Sequence, residues 1–306
     1  MEPESIHVLL IEDNATDAEL VERLLASCAQ PRFEVLRAAS LAAALPIAQG
    51  ERCDVVMLDL SLPDSLGLVS LRELALAVPQ MPIVVWTGLD DEASAIEAMR
   101  HGAQDYLVKG RHDGALLGRS LRCAIQRKTF DAHLARLAYY DQLTGLVNRT
   151  LFNDRLSHAL ARAKRAGRRV ALMFIDLDEF KTVNDTLGHD AGDNVLQKVA
   201  EQLRGSVRQN ETVSRLGGDE FTILLEPVDG AAGATTVAER IIGRMQTPVS
   251  LSGEQIRITS SIGIALFPDD ASDGSTLLRH ADAAMFRAKC LGRNNFQFYT
   301  GSEKLN

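Results

Sequence analysis

The side chains of this sequence that could do chemistry form two acidic sets, each placed at the ends of short apolar runs. In the first, Glu12 and Asp13 follow the run Ile6–Ile11, Asp59 follows Val55–Leu58, Thr87 follows Ile83–Trp86 and Lys109 follows Tyr106–Val108. Three carboxylates gathered together repel one another unless a hard divalent cation sits among them, and oxygen donors suit Mg²⁺. A lysine and a hydroxyl beside them could hold the oxygens of a phosphoryl group carried by one carboxylate. In the second set, Asp176 and Asp178 mark the end of the run Val170–Leu177, and Asp219 and Glu220 stand directly behind Gly217 and Gly218. Carboxylates at a strand end and at a hairpin are what two-metal phosphoryl chemistry needs, with Mg²⁺ ions ~3.5–4 Å apart stabilising the attacking and leaving oxygens. Hairpins also carry Gly and Asp for turn reasons alone, so on spacing both readings stand.

The surrounding pattern indicates how these residues are held. The runs Ile6–Ile11, Phe33–Leu36, Val55–Leu58, Ile83–Trp86 and Tyr106–Val108 alternate with segments of helical spacing such as Ala15–Ser27 and Ala93–His101. Five strands alternating with helices predict an α/β fold with a doubly wound, five-stranded parallel sheet, whose ligands bind outside the carboxyl ends of the strands. From Asp113 to Tyr140 the chain reads as helix. Asp113 can cap its start, Leu116, Leu117, Leu121, Ala124 and Ile125 give an apolar stripe, and Phe130, Leu134 and Leu137 resume helical spacing after a polar interval. This helix reads either as the last element of one domain running into the next or as a dimer stalk, and the two are compatible.

Beyond it, residues 148–168 predict a helix opened by Asn148 and closed near Ala166-Gly167. Val170–Leu177, apolar on both faces, suits a central strand, and a further helix is expected over about Asp193–Val207. Gly217-Gly218 between Thr212–Leu216 and Asp219–Leu225 predicts a tight two-residue hairpin. Glycines there leave room for a ligand's phosphates to approach the backbone.

The 306 residues are 46% hydrophobic and 24% charged, a globular composition that excludes a mainly disordered or collagen-like chain and suits two domains, each with its own core. The pattern places them at 1–125 and 141–306, with a helical linker over 126–140. The net charge of −8 argues against nucleic-acid and anionic-membrane partners. Residues 1–140 hold 13 basic and 20 acidic side chains, so the acidic excess lies almost wholly there. Cys28, Cys53, Cys123 and Cys290 are scattered without metal-ligand spacing and read as thiols of a reducing compartment. No apolar stretch approaches the ~18 residues of a membrane span. The start MEPESIH is acidic where a signal peptide would be basic, so a cytoplasmic protein is expected.

The stretches LLIEDN, VVMLDLSLPDSLG, VVWTG and GAQDYLVKG resemble the receiver domain of bacterial two-component response regulators. The resemblance implies that Asp59 accepts a phosphoryl group from a histidine kinase or phosphotransfer protein. It also implies that Glu12, Asp13, Asp59 and the carbonyl of Ser61 hold one Mg²⁺, and that Thr87 and Lys109 contact the phosphoryl oxygens. Tyr106 is then the aromatic that reorients on activation; by itself it reads equally as a half-buried strand residue.

In the second half, RLGGDEF at 215–221 resembles the signature of the GGDEF family of diguanylate cyclases. DQLTGLVNR, IDLDEFKTVNDTLGHDAGD, SIGIA and ADAAMFRAKCLGRN match the family in the expected order. The resemblance implies an α+β, palm-like nucleotidyl cyclase domain condensing two GTP to cyclic di-GMP and pyrophosphate, with two Mg²⁺ per GTP site. Asp176, the Leu177 carbonyl, Asp219 and Glu220 would be metal ligands, with Asp219 or Glu220 also assisting deprotonation of the 3′-hydroxyl. Gly217 and Gly218 would lie under the phosphates, and Asn184 and Asp193 would bind guanine. Phe180, Lys181, Lys289 and Arg293 would meet phosphates, the last two from one face if their helix continues to Arg293. His189 reads as structural.

Each domain would supply half of a shared site, so a homodimer is expected. The alternative is a catalytically silent module that binds GTP or cyclic di-GMP and acts through a protein partner. The family's product-inhibition site reads Arg-x-x-Asp; here Arg208 is followed by Glu211, a degenerate version that also reads as an exposed helix end with a local Arg–Glu pair. The ending FYTGSEKLN resembles the lead-in to a phosphodiesterase domain in composite family members.

Overall fold

The five apolar runs of the first half become β1 (Ser5–Ile11), β2 (Arg32–Ala38), β3 (Val55–Leu58), β4 (Ile83–Thr87) and β5 (Asp105–Val108). They pair in parallel in the order β2-β1-β3-β4-β5. The structure, a computed structural model, describes residues 5–28, 30–50, 53–246, 249–251 and 254–301. Residues 1–4 of the acidic start and 302–306 of the ending FYTGSEKLN lie outside the described residues. The chain divides into two units, Met1–Ala135 and Arg136–Asn306.

In the first unit α1 (Ala15–Ala26), α2 (Leu41–Gly50), α3 (Leu68–Ala77), α4 (Glu92–Arg100) and α5 (Gly114–Tyr139) connect or follow the strands. β3 and β4 are buried throughout because helices cover both faces of the sheet. Leu9, Ile11, Val56, Leu58 and Val85 pack with Leu41, Leu71 and Leu74 on one side. Val8, Leu10, Met57 and Trp86 pack with Val21, Leu25, Leu117 and Leu121 on the other. Each such side chain contributes roughly 1.5–3 kcal/mol on burial. The helices start where side chains satisfy free amides. Asn14 Oδ1 accepts from Thr16 N at 2.9 Å, and Asp113 Oδ1 from Leu116 N at 2.8 Å. Asp64, from the loop after β3, reaches across to accept from Leu41 N and Ala42 N at 3.0 and 2.9 Å, so α2 is capped by tertiary contact.

The second unit contains α6 (Arg149–Ala166), β6 (Val170–Leu177), α7 (Phe180–Leu187), α8 (His189–Arg204), β7 (Thr212–Gly217) and β8 (Glu220–Leu225). After these come α9 (Gly230–Met245), β9 (Val249–Leu251), β10 (Glu254–Ile256), β11 (Ser260–Phe267), α10 (Gly274–Cys290) and β12 (Phe296–Phe298). The sheet runs β12-β11-β6-β8-β7, antiparallel except for the β11–β12 pair, while β9 and β10 form a separate hairpin. Met173, Ile175, Phe221, Ile223 and Ile262 face α8 and α9; Leu172, Phe174, Leu224 and Ala265 face α6 and α10.

Three local features differ from the sequence reading. The helix expected from about Asp193 begins at His189 and is preceded by α7, whose β-branched and Asn/Asp-rich run has low helix propensity. The hairpin turn comprises Gly218 and Asp219, because a register shift between Arg215 and Gly217 absorbs one residue and leaves Gly217 paired with Glu220. The helix expected to carry both Lys289 and Arg293 on one face ends at Cys290. Gly292, with φ of 107°, donates to Lys289 O, and Arg293 donates to Ala288 O, a Schellman ending that turns Arg293 off the helix.

The sheet and α10 meet at backbone distance. A Cβ on Gly263 of β11 would lie 1.9 Å from Ala281 O and 2.1 Å from Met285 N. Gly263→Ala should therefore cost about 3 kcal/mol or more, since neither strand nor helix backbone can yield locally. Thermal unfolding followed by circular dichroism tests this, and a loss under ~1 kcal/mol would contradict the close approach.

Candidate functional site

Because β1 and β3 are neighbours, Glu12, Asp13 and Asp59 leave the sheet side by side, and carboxylate oxygens of all three lie within 4.8 Å of one another. Glu12 and Asp59 are buried and Asp13 is exposed. From the end of β5, Lys109 sets its ammonium 2.6 Å from Glu12 Oε2 and 2.8 Å from both Asp17 Oδ2 and Asp59 Oδ2. Burial alone would push the lysine pKa down, but its hydrogen bonds to Asp17 and Asp59 and the adjacent Glu12 carboxylate outweigh it and hold it above its ordinary value. Burial pushes the Glu12 carboxyl up; Lys109 opposes this and Asp59 adds to it. Glu12 Oε2, close to Lys109 but off the direction of a hydrogen bond, is a buried oxygen without a hydrogen-bond partner. An under-satisfied oxygen in an all-carboxylate trio fits a hard cation such as Mg²⁺.

Ser61 touches Asp59 through its N–H, which donates to Oδ1 at 3.2 Å. Thr87 Oγ1 accepts from Leu89 N at 3.3 Å, and the Tyr106 hydroxyl donates to Leu89 O at 2.9 Å. Leu89 thus joins Thr87 to Tyr106. Neither Leu89 nor Asp17 stood out in the sequence. An acid in the first turn of α1 reads as a helix-dipole residue, and only the fold brings it to Lys109.

In the second unit, strand register does the same gathering. β6 sets Asp176 opposite Glu220 of β8 and opposite Ser261 of β11, and the turn Gly218-Asp219 precedes Glu220. Lys289, in the last turn of α10, places Nζ 2.7 Å from Asp176 Oδ1. Burial raises the Asp176 carboxyl, against Lys289 and reinforced by Asp219 and Asp178. Burial also raises Glu220, which Arg149 opposes and Asp176, Asp282 and Asp219 reinforce. The donor set is all oxygen and anionic, which fits Mg²⁺. It is looser than the first, since among the described residues only the Glu12 trio has its oxygens within 4.8 Å.

Asn184 lies against the first turn of α8, where a Cβ on Gly192 would be 1.8 Å from Asn184 Oδ1, so it stands beside Asp193. Phe180 is buried in the core, which leaves its main-chain N–H at the start of α7 as its polar offering; Lys181 beside it is exposed. The Leu177 side chain is likewise in the core. Glu211 Oε2 accepts from Arg208 N at 2.6 Å, so the carboxylate closes its own turn rather than pairing with the guanidinium.

A further connection escaped the sequence reading. Asp141 accepts from Arg215 at 3.1 and 3.2 Å and from the N–H and hydroxyl of Thr144, while Arg215 Nε donates to Gly218 O at 2.9 Å. The turn that follows α5 is thereby tied to the glycine turn through one arginine.

A five-stranded parallel domain with an acidic trio, followed by a mixed-sheet domain with carboxylates around the Gly218-Asp219 turn, is the arrangement of a receiver domain joined to a nucleotidyl cyclase-like domain. The family model of the response regulator receiver domain matches residues 8–119, and that of the diguanylate cyclase GGDEF domain matches residues 138–295. The chain belongs to the GGDEF diguanylate cyclase family and carries a receiver domain ahead of that domain. It is 31% identical to the response regulator PleD of Caulobacter vibrioides over 299 residues, 94% of this chain and 64% of PleD. It is 46% identical to the diguanylate cyclase TpbB of Pseudomonas aeruginosa over 166 residues, 54% of this chain and 38% of TpbB. Among solved structures, the coiled coil and GGDEF domain of DgcB from Caulobacter crescentus, in complex with c-di-GMP, superimposes with a TM-score of 0.55 at 30% identity. That match covers 60% of this chain and 97% of the DgcB chain.

Burial would lift the Asp141 carboxyl, yet hydrogen bonds from Thr144 and Arg215 outweigh it and hold it below the ordinary value. Such a group stabilises the fold above its unfolded pKa near ~4 and loses that contribution as pH falls through the lower folded value. Asp141→Asn should thus cost about 1–2 kcal/mol at neutral pH. Urea unfolding should show the gap to the parent protein closing below pH ~3, and a gap of constant size would contradict the assignment.

Proposed function

We propose that this chain is a phosphorylation-regulated diguanylate cyclase that condenses two GTP to cyclic di-GMP and two pyrophosphates as a homodimer. The observation that carries the reading is the placement of Asp176 opposite Glu220, beside the Gly217–Asp219 segment, with Lys289 2.7 Å from Asp176.

In this reading Asp193 accepts the N1–H and N2–H donors of guanine, with Asn184 beside it, and adenine lacks that donor pair. The phosphates run over Gly217 and Gly218 to the free N–H groups of Phe180 and Lys181 at the start of α7, with Lys181, Lys289 and Arg293 as cations. Asp176, the Leu177 carbonyl, Asp219 and Glu220 would hold two Mg²⁺, which neutralise triphosphate charge and favour the 3′-alkoxide. Asp219 or Glu220 takes the proton of the 3′-hydroxyl. That oxygen attacks the α-phosphorus of the GTP on the facing domain, and the bond to the β-phosphate breaks. Repeating the step in the opposite sense closes the ring. Both steps need two domains facing one another, so whatever changes dimer geometry changes rate.

In the receiver, Asp59 would take a phosphoryl group from a histidine kinase or phosphotransfer protein, with one Mg²⁺ held by Glu12, Asp13, Asp59 and the Ser61 carbonyl. Lys109 and Thr87 would hold the phosphoryl oxygens. As Thr87 turns to the phosphoryl group it gives up Leu89 N–H, and Leu89 O is the acceptor of the Tyr106 hydroxyl, so the aromatic follows. α5 extends past the receiver with Phe130, Leu134 and Leu137 60%, 47% and 39% exposed, an apolar face suited to a second copy. No helix among the described residues is long and apolar enough to cross a membrane, and the reading places the protein in the cytoplasm with its GTP.

Incubation with GTP and Mg²⁺ should yield cyclic di-GMP and pyrophosphate, and Glu220→Gln should lower the rate by about 10²-fold or more. Beryllofluoride should change the rate and the mass of the parent protein and leave Asp59→Asn unaffected; an equal response in both would refute phosphoryl control. With Glu211 committed to the Arg208 amide, added cyclic di-GMP should inhibit weakly, and Arg208→Ala should leave that inhibition unchanged. Tight inhibition abolished by Arg208→Ala would reverse this conclusion.

A further inference from the structure

Asp178 is a carboxylate only 7% exposed, and among the described residues no lysine, arginine or histidine lies within ion-pair distance of it. A buried carboxylate without a cation is costly unless hydrogen bonds satisfy it. Here three neutral donors do so. Thr259 Oγ1 donates to Oδ2 at 2.6 Å, Ser261 Oγ donates to Oδ1 at 2.7 Å, and the main-chain N–H of Asn294 donates to Oδ2 at 3.0 Å. Its own N–H donates to Thr259 O at 2.9 Å. A carboxylate can accept from all three, and the Asn294 N–H can only donate, so an acceptor is required at this position.

The three donors come from two places. Thr259 and Ser261 lie just before and within β11, whereas Asn294 lies beyond the end of α10, 116 residues along the chain. The segment at Asn294 is strained. Arg293 and Asn294 have φ of 61° and 49°, left-handed values that non-glycine residues hold only where their surroundings over-determine them. The bonds that do so come from α10, from the end of β6 and from the segment itself: Arg293 N to Ala288 O at 3.2 Å, Asn294 N to Asp178, and Asn295 Nδ2 to Ala288 O at 2.8 Å and Arg293 O at 2.9 Å. Among them, the bond to Asp178 ties the segment to the tail of the strand that carries Asp176.

The structure assigns Asp178 the role of a positioning residue, which holds the left-handed Arg293–Asn294 segment against the end of β6 and so fixes the phosphate cations relative to Asp176. The assignment rests on the reading of Lys289 and Arg293 as phosphate contacts. Asp178 itself touches no substrate. It acts at the triphosphate end, while Asn184 and Asp193, on α7 and α8, serve the guanine end.

That division makes the role measurable. In Asp178→Ala the acceptor of all three bonds is removed and the Asn294 N–H loses its partner, which should free the segment. With Mg²⁺ present, binding of 3′-deoxy-GTP, which has the triphosphate but no attacking hydroxyl, should weaken about tenfold or more. Binding of GMP should change less than about twofold, because its contacts are at the base. Loss of affinity for both nucleotides to the same degree, or for neither, would overturn the assignment. If the parent protein itself binds neither nucleotide, the GTP-site reading fails, and the role of Asp178 falls with it. Should Asp178→Ala not fold, Ser261→Ala removes one brace of Asp178 and leaves Asn294 untouched. A smaller loss confined to 3′-deoxy-GTP then supports the assignment, and an unselective loss or none opposes it.

Discussion

The second unit depends on one awkward requirement: a fully buried central strand must end in carboxylates. β6 is apolar along both faces and paired on both edges, so its end is fixed to the accuracy of two hydrogen-bonded ladders. That rigidity is what lets Asp176 face Glu220 across one strand pair and Ser261 across the other. It also takes Asp176 and Asp178 out of water, which is unfavourable for charge, and the fold meets the two cases differently. Asp176 is balanced by the ammonium of Lys289, which can also serve a ligand. Asp178 is satisfied by neutral donors that hold a neighbouring segment in place.

The receiver solves a related problem with a different balance. Its parallel strands deliver Glu12, Asp13 and Asp59 to one edge, and a single ammonium, Lys109, answers three carboxylates, one of them Asp17 from outside the trio. The excess of negative charge leaves Glu12 Oε2 short of partners, the condition a divalent cation relieves. Both sites therefore stand on strand ends with a lysine from a later element closing over them. In both, burial raises the carboxyl, Glu12 in one and Asp176 in the other, and a lysine opposes the shift without cancelling it. The first site is tight and the second open.

α5 crosses from the first unit into the second, and the turn that follows it holds Asp141, whose ion pair with Arg215 is shielded from solvent. Arg215 in turn fixes the carbonyl of Gly218. A shift in that turn must disturb either a half-buried ion pair or the glycine turn, because the guanidinium serves both.

Much of this was legible without the fold. The alternation of apolar runs, the caps at Asp113 and Asn148, and the long helix from Asp113 to Tyr140 are local properties of composition and period, and the structure reproduces them within a residue or two. The acidic residues of both sites were visible because they sit at strand ends in distinctive stretches. What escaped the sequence was long-range. The end of α10 at Cys290 is the exception, since Gly292 marks it locally as a helix-stopping glycine. α7 was missed because its residues form a helix poorly without α8 beside them. Asp17, Leu89, Arg215 and Asp178 were each ordinary in their local setting: a helix-start acid, a loop apolar residue, a strand arginine and a strand-end acid.

The sequence alone determined which side chains are available, which elements they sit on and which family they belong to, because those depend on neighbours a few residues away. Tertiary structure decided which partners those side chains meet, since Lys109 with Asp17, Asp141 with Arg215 and Asp178 with Asn294 are separated by 92, 74 and 116 residues. Such pairings follow from sheet order and register, which no local pattern encodes.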